Sequence, residues 1–190
     1  SLARGLQRKP HFIGCDMGSI DPGPFYLGSG QMAAPKDMVL RDLELVLLAA
    51  RQLDVPLIIG SAGTAGAKPQ LAATLALLQE VAQKHGLSFS VATVCSDVPR
   101  QILIEAVQDG RLKSLDPDGV ALPLPVPNPS QIELATNIVA QCGTHTFIEA
   151  LTHQPDVLIA GRSCDTAIFA ALPQMLGYDP ALSLHMAKII

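Results

Sequence analysis

Val55-Pro56-Leu57-Ile58-Ile59-Gly60 is the stretch that decides the fold. A run this short, apolar on both faces, is the pattern of a strand in a parallel sheet that helices cover on both sides. Three other runs join it as strands: His11 to Cys15, Ser88 to Thr93, and Asp156 to Ala160, the most apolar of the set. Between them the period changes to that of a helix. Lys36 to Leu53 places Val39, Leu43, Val46, Leu47 and Ala50 on one face. A second helix begins near Pro69, turns Leu71, Leu75, Leu78 and Ala82 inward, and stops at Gly86. A third runs from about Pro99 to Gly110. Asn128 caps a helix that opens at Pro129, carries Ile132, Ala135, Val139 and Cys142 inward, and closes at Gly143. Thr146 to Leu151, Thr166 to about Leu176, and a last helix from Asp179-Pro180 with Leu182, Met186 and Ile189 on one stripe complete the set.

Strand and helix therefore alternate, which predicts an α/β fold: one domain over residues 1–190, with a mostly parallel sheet of at least four strands. Right-handed crossovers would put helices on both faces, in a Rossmann-like three-layer arrangement. Residues 111 to 128 break the alternation. Asp116-Pro117-Asp118-Gly119 signals a turn, and Leu122-Pro123-Leu124-Pro125-Val126-Pro127 must be extended without being a central strand. A flap over the site, or an edge that meets a partner, is expected there.

The composition narrows the function. Hydrophobic residues make up 48% of the chain while aromatics are 4% with no Trp, so the core is aliphatic. A net charge of −4 without basic clusters excludes a nucleic-acid partner, which would need Lys and Arg to displace counterions. No apolar run reaches the roughly 20 residues of a membrane span, and no secretory leader is visible; a cytoplasmic location is expected. Cys15, Cys95, Cys142 and Cys164 form no C-x-x-C pair and are expected as buried free thiols. Homo-oligomerisation is expected, its order unspecified.

Gly14 to Gly30 connects the first strand to the first long helix by a loop far longer than the roughly two to six residues usual for such links. Its glycines and prolines shape the path, Phe25-Tyr26-Leu27 anchors it, and Asp16, Ser19, Asp21 and Ser29 lie in it. Ligands of open parallel sheets bind beyond the carboxyl ends of the strands. Four loops leave there: Asp16 to Gly30, Ser61 to Lys68, Cys95 to Asp97, and Gly161 to Asp165. Asp16, Ser19, Asp21, Ser61, Gly63, Arg162, Cys164 and Asp165 are expected to line one cleft.

Within that cleft Asp16 and Asp21 are candidate proton-transferring carboxylates, or ligands for Mg²⁺, or simple Asx-turn formers. Ser19, Ser61, Gly63, Gly66, Lys68 and Arg162 are candidates to bind an anion, with the amides of the second loop as the cradle. That loop reads G-x-x-G-x-x-G and Lys68 is followed by Pro69, so neither the dinucleotide fingerprint nor the Walker loop applies. Cys164, just before a helix and beside Arg162, is a candidate nucleophile or else a small packed residue. Asp165 is a catalytic candidate or the cap of that helix. Of the histidines only His185 is retained as a site candidate.

Ile13-Gly14-Cys15-Asp16-Met17-Gly18-Ser19-Ile20-Asp21-Pro22-Gly23-Pro24-Phe25-Tyr26-Leu27-Gly28-Ser29-Gly30, Leu57-Ile58-Ile59-Gly60-Ser61-Ala62-Gly63 and Ile159-Ala160-Gly161-Arg162-Ser163-Cys164-Asp165-Thr166-Ala167 resemble the acyclic terpene utilisation (AtuA-like) family. Arg41 to Leu45 and Ala181 to Lys188 are similar to it as well. The resemblance implies a place near the breakdown of branched acyclic terpenoids as acyl-CoA thioesters. It also implies further chain before Ser1 and after Ile190, so that the sequence is expected to be a fragment. An enzyme of lyase, hydratase or isomerase type acting on a small or acyl-CoA-bound carboxylic substrate is expected, with a non-catalytic ligand-binding or partner-binding subunit as the other reading.

Overall fold

The computed structural model describes residues 2–113 and 126–190. In chain order its elements are α1 (Leu2–Leu6), β1 (Ile13–Asp16), α2 (Phe25–Ser29), α3 (Lys36–Leu53), β2 (Leu57–Gly60), α4 (Lys68–His85), β3 (Val91–Val94), α5 (Arg100–Gln108), α6 (Pro129–Leu134), α7 (Thr144–Leu151), β4 (Val157–Ala160), α8 (Asp165–Met175) and α9 (Pro180–Ile189). The four strands form one sheet in the order β1-β2-β4-β3, every pair parallel. Leu57 stands opposite Ile13 on one side and Val157 on the other, and Val157 opposite Val91. The expected α/β fold is the observed one.

β2 and β4 are buried at every residue because both faces are covered. Leu57, Ile59, Val157 and Ile159 turn into a core shared with Leu43 and Leu47 of α3 and Leu71, Leu78 and Val81 of α4. Ile58, Leu158 and Ala160 turn the other way, against Phe147 and Leu151 of α7 and Ala167, Ile168 and Ala171 of α8. β3 is an edge, with Val91 41% exposed. Gly60 closes β2 tightly under α8: a Cβ there would lie 2.3 Å from Ile168 Cδ1. The helices that follow β2 and β4 thus leave to opposite faces of the sheet. Where two adjacent strands send their chains apart, their carboxyl ends leave a crevice, and ligands of open α/β sheets bind in it.

Four expectations are corrected. The helix predicted from Pro129 to Gly143 stops at Leu134; Ala135 is already extended, at φ −64° and ψ 129°. Residues 135–142 instead run as an extended strap that pairs Val139 with Asp97 and Cys142 with Ser163. Here the loops leaving β3 and β4 offer backbone partners: Val98 N donates to Ile138 O, Ala140 N to Ser96 O and Cys142 N to Arg162 O. Tertiary pairing overrode a weak helical period. In α9 the apolar stripe faces outward, Leu182 being 69% and Ile189 72% exposed while Ser183 and Ala187 pack inward. In α4, Leu71 and Leu78 are buried and Leu75 packs on the same core as expected, but Leu77 and Val81 are buried where Ala82 was expected. Cys95 is an exposed thiol. The turn at Asp116 to Gly119 and the proline run up to Pro125 lie outside the described residues. Among those described, no helix is long and apolar enough to cross a membrane.

The doubly covered strands make a prediction. Leu158→Ala should destabilise the protein by about 2 to 5 kcal/mol, because the cavity between β4 and α8 cannot collapse. Val91→Ala, on the edge, should stay within about 1 kcal/mol. Urea unfolding checks this through the midpoint, at an unchanged slope.

Candidate functional site

The loop after β1 is fastened down at several points. Met17 N donates to Gly60 O at 3.0 Å, which draws the loop over the end of β2. Gly18 then lies on Thr64, where a Cβ would come within 2.5 Å of the Thr64 Cα. The expected irregular loop contains the short helix α2, closed by Gly30 at φ 72°. Gln70, fully buried, holds that helix to the start of α4. Its Nε2 donates to Tyr26 O at 2.8 Å and Gln31 O at 2.9 Å, and its Oε1 accepts the Ala67 N–H at 2.9 Å. From the other side the strap grips α2: Thr136 Oγ1 donates to Gly28 O at 2.9 Å and Asn137 Nδ2 to Leu27 O at 2.8 Å.

Four of the six amides in the loop Ser61 to Gly66, expected as a cradle, are engaged within the protein. Ser61 N donates to Gly161 O, Ala62 N to Ala160 O, Thr64 N to Ser61 O and Gly66 N to Ala62 O. With those donors engaged, the loop offers carbonyls. Thr64 O accepts from Arg162 Nη1 at 3.2 Å, and Gly66 O accepts from Arg162 N at 3.0 Å and from Ser96 Oγ at 3.1 Å. The shape is forced. Ser61 and Thr64 hold positive φ, 51° and 92°, which is strained for any residue with a Cβ and rare for a β-branched one. At Gly66, φ 73°, a Cβ would fall 2.1 Å from Arg162 N.

Arg162 sits at the crevice between β2 and β4 and is 7% exposed. Its Nη1 donates to Gly18 O at 3.3 Å and Thr64 O at 3.2 Å, joining the first two loops. No carboxylate lies within ion-pair distance of it among the described residues. The guanidinium borders a cavity of about 470 Å³ lined also by Ser19, Ile20, Pro24, Tyr26, Leu27, Thr64, Ala65, Val139 and Gln141. A second cavity of about 230 Å³ lies between β1 and α3, and Asp16 lines that one, with Cys15, Met38, Asp42 and Val46. Burial pushes the Asp16 carboxyl above its ordinary value; the Gly18 N–H and the Ser61 hydroxyl pull it back, Asp165 raises it and Arg162 lowers it. Burial, then the charges of Asp16 and Asp42, push the Cys15 thiol up.

The other candidates fall into place around these two. Ser19 lines the larger cavity and donates to Asp21 Oδ2 at 2.6 Å, with Asp21 exposed. Ser61 is buried, its Oγ donating to Ser163 O at 3.5 Å. Gly63, at φ 62°, packs on Gln70 and Met32. Lys68 is exposed in the first turn of α4 and lines neither cavity. Cys164 is half-buried at the N-cap of α8, 3.3 Å from Thr166 Oγ1. Asp165, expected as the cap, is the first helical residue instead and is exposed. His185 is exposed on α9. All the loops share one edge of the sheet, but of the expected residues the larger cavity takes Ser19 and Arg162. Gln141, Tyr26 and Val139 line it too, though none was a site candidate from the sequence, and Gln70 supports the loop from outside the cavity. Among the described residues no three of His, Cys, Asp and Glu gather to hold a metal ion.

A doubly wound parallel sheet with a buried cation at its switch point defines an α/β domain. The model of acyclic terpene utilisation family protein AtuA matches residues 33–176, and the chain belongs to that family. Membership links it to acyclic terpene utilisation. The matched span takes in Ser61, Gly66, Gln141 and Arg162, while the Asp16 loop precedes it. No curated protein and no solved structure matches the chain.

Two outcomes follow from this geometry. The folded state holds its proton on Asp16 to a higher pH than the unfolded chain does, so Asp16 subtracts stability as pH rises through that window. Asp16→Asn should therefore melt at a higher temperature than the parent at pH 8, the difference shrinking toward pH 4; a lower melting temperature at pH 8 would contradict it. Gly66→Ala should lose at least about 2 kcal/mol, since neither its φ nor the contact with Arg162 admits a methyl. Chemical denaturation reads that loss.

Proposed function

We propose that the chain is an enzyme of acyclic terpenoid breakdown acting on a branched carboxylic substrate, free or as an acyl thioester, by lyase, hydratase or isomerase chemistry. One observation carries the reading: Arg162 is buried at the edge of a cavity and bonded to carbonyls alone. A guanidinium presents five N–H donors in a fixed fork, and carbonyl partners leave its charge uncompensated. It suits a carboxylate or a polarised acyl oxygen. Ile20, Pro24, Leu27 and Val139 would take the branched chain, in a volume ordinary for a small-molecule site. Asp16, whose proton affinity is raised beside Ser61, would transfer the proton. The same reading places the protein in the cytoplasm as a homo-oligomer, with the exposed Leu182 and Ile189 of α9 as contact surface. Asp16 lines the neighbouring cavity rather than that of Arg162. That placement favours the second reading, a non-catalytic subunit that binds a pathway intermediate.

The two separate in one assay. The protein is incubated with branched acids and their coenzyme A thioesters, with and without Mg²⁺, and both binding and turnover are followed. Arg162→Gln should weaken binding roughly ten- to hundredfold, the loss expected for a charge-assisted hydrogen bond. Asp16→Asn should lower kcat at least about a hundredfold with KM little changed. Tight binding without turnover, insensitive to Asp16→Asn and Asp21→Asn, would make the binding subunit the better account.

A further inference from the structure

We infer that the ligand of the Arg162 cavity is a free branched-chain monocarboxylate rather than its coenzyme A thioester. The inference rests on the reading of that cavity as the substrate site. It begins with charge. Among the described residues Arg162 is the one charged residue in the lining, and Gly18 O and Thr64 O bring it dipoles but no countercharge. A carboxylate supplies both a full negative charge and two acceptor oxygens, which the guanidinium fork pairs in parallel. A thioester carbonyl supplies one neutral acceptor and leaves the buried cation as it was.

The remaining wall agrees. Ile20, Pro24, Leu27 and Val139 are apolar, and Ser19 and Gln141 are polar without charge, so the cavity suits one anionic end and a hydrocarbon body. The cavity of about 470 Å³ lies within the roughly 300–1,000 Å³ of small-molecule sites. A branched acid of about ten carbons fits within that, and a coenzyme A moiety, several times larger, would lie largely outside it.

Among the described residues, what lies outside gives a highly charged tail little to bind. The phosphates of coenzyme A carry several negative charges and call for a nest of free amides or a group of cations. Ser61, Ala62, Thr64 and Gly66 already use their amides within the protein. Arg100 reaches the strap but donates to Ala135 O and Thr136 O, and Lys68 lines neither cavity. Asp21, beside Ser19, adds a negative charge. Like charges at a mouth repel the tail.

Isothermal titration calorimetry on the whole chain tests this with three probes that share one body: 3,7-dimethyloctanoate, its coenzyme A thioester, and the neutral alcohol 3,7-dimethyloctan-1-ol. The acid should bind at least tenfold tighter than either of the others. Arg162→Lys should keep a preference for acid over alcohol at reduced affinity, and Arg162→Gln should abolish it. Should Arg162→Gln fail to fold by circular dichroism, Val139→Phe fills the cavity without touching the guanidinium and should weaken the acid at least tenfold. A thioester that binds as tightly as the acid or tighter overturns the inference. If that thioester binding is itself weakened by Val139→Phe, the cavity remains the substrate site and the inference alone fails. Binding of neither acid nor thioester, or acid binding indifferent to Val139→Phe, overturns both.

Discussion

The contact on which the site depends is the approach of two backbones at the carboxyl ends of β2 and β4. Gly66 O accepts the Arg162 N–H at 3.0 Å, Gly161 O accepts the Ser61 N–H at 2.9 Å, and no side-chain atom fits between the chains at Gly66. Gly161 is pressed in the same way, since a Cβ there would lie 2.0 Å from Ser96 Oγ. Because the loops lock to each other directly, they leave β2 and β4 as one unit. Arg162 is then carried beneath the first loop, where Gly18, lying on Thr64, is the only kind of residue that lets that loop come close enough.

Such a lock has a price, visible in Ser61 and Thr64 at positive φ. Each strained residue costs on the order of 1 to 3 kcal/mol and persists when its surroundings leave no alternative. The surroundings here are the fully buried cores on the two faces of β2 and β4 and the hydrogen bonds of Gln70. Turning the loop amides inward has a further effect: a glycine-rich loop that looks like an anion site becomes an acceptor surface for a cation. The buried cation that these carbonyls hold is the side chain of Arg162.

The frame of the molecule was legible because burial on both faces leaves a plain mark. Leu57-Ile58-Ile59 and Val157-Leu158-Ile159 can only be central strands, and α3 begins and ends where its amphipathic period does. What could not be read depends on partners far away in the chain. The strap at 135–142 forms because Ser96, Val98 and Arg162 offer it backbone groups, and the weak helical spacing of Ile132, Ala135, Val139 and Cys142 carries no trace of that competition. Gln141 and Val139 were lost from the site with it. Gln70 left one local sign, its position three residues after the helix cap, which is where a Gln returns to the cap N–H. Its second task, holding Tyr26 and Gln31, is written nowhere near it.

Asp16 and Arg162 were expected to line one cleft, but they line different cavities, and the causes acting on Asp16 agree with that separation. Burial comes first, then the Gly18 N–H and the Ser61 hydroxyl, then Asp165, and Arg162 last. An ion pair would reverse that order, because an opposite charge within about 4 to 6 Å is among the strongest influences on a carboxyl group. The two opposite charges thus stand on one edge of the sheet in different cavities, without neutralising each other. A collapsed pair would give Asp16 an ordinary or lowered proton affinity and would close Arg162 to any anion. Held apart, the carboxyl keeps a proton to higher pH, and the guanidinium keeps a charge that no carboxylate among the described residues answers.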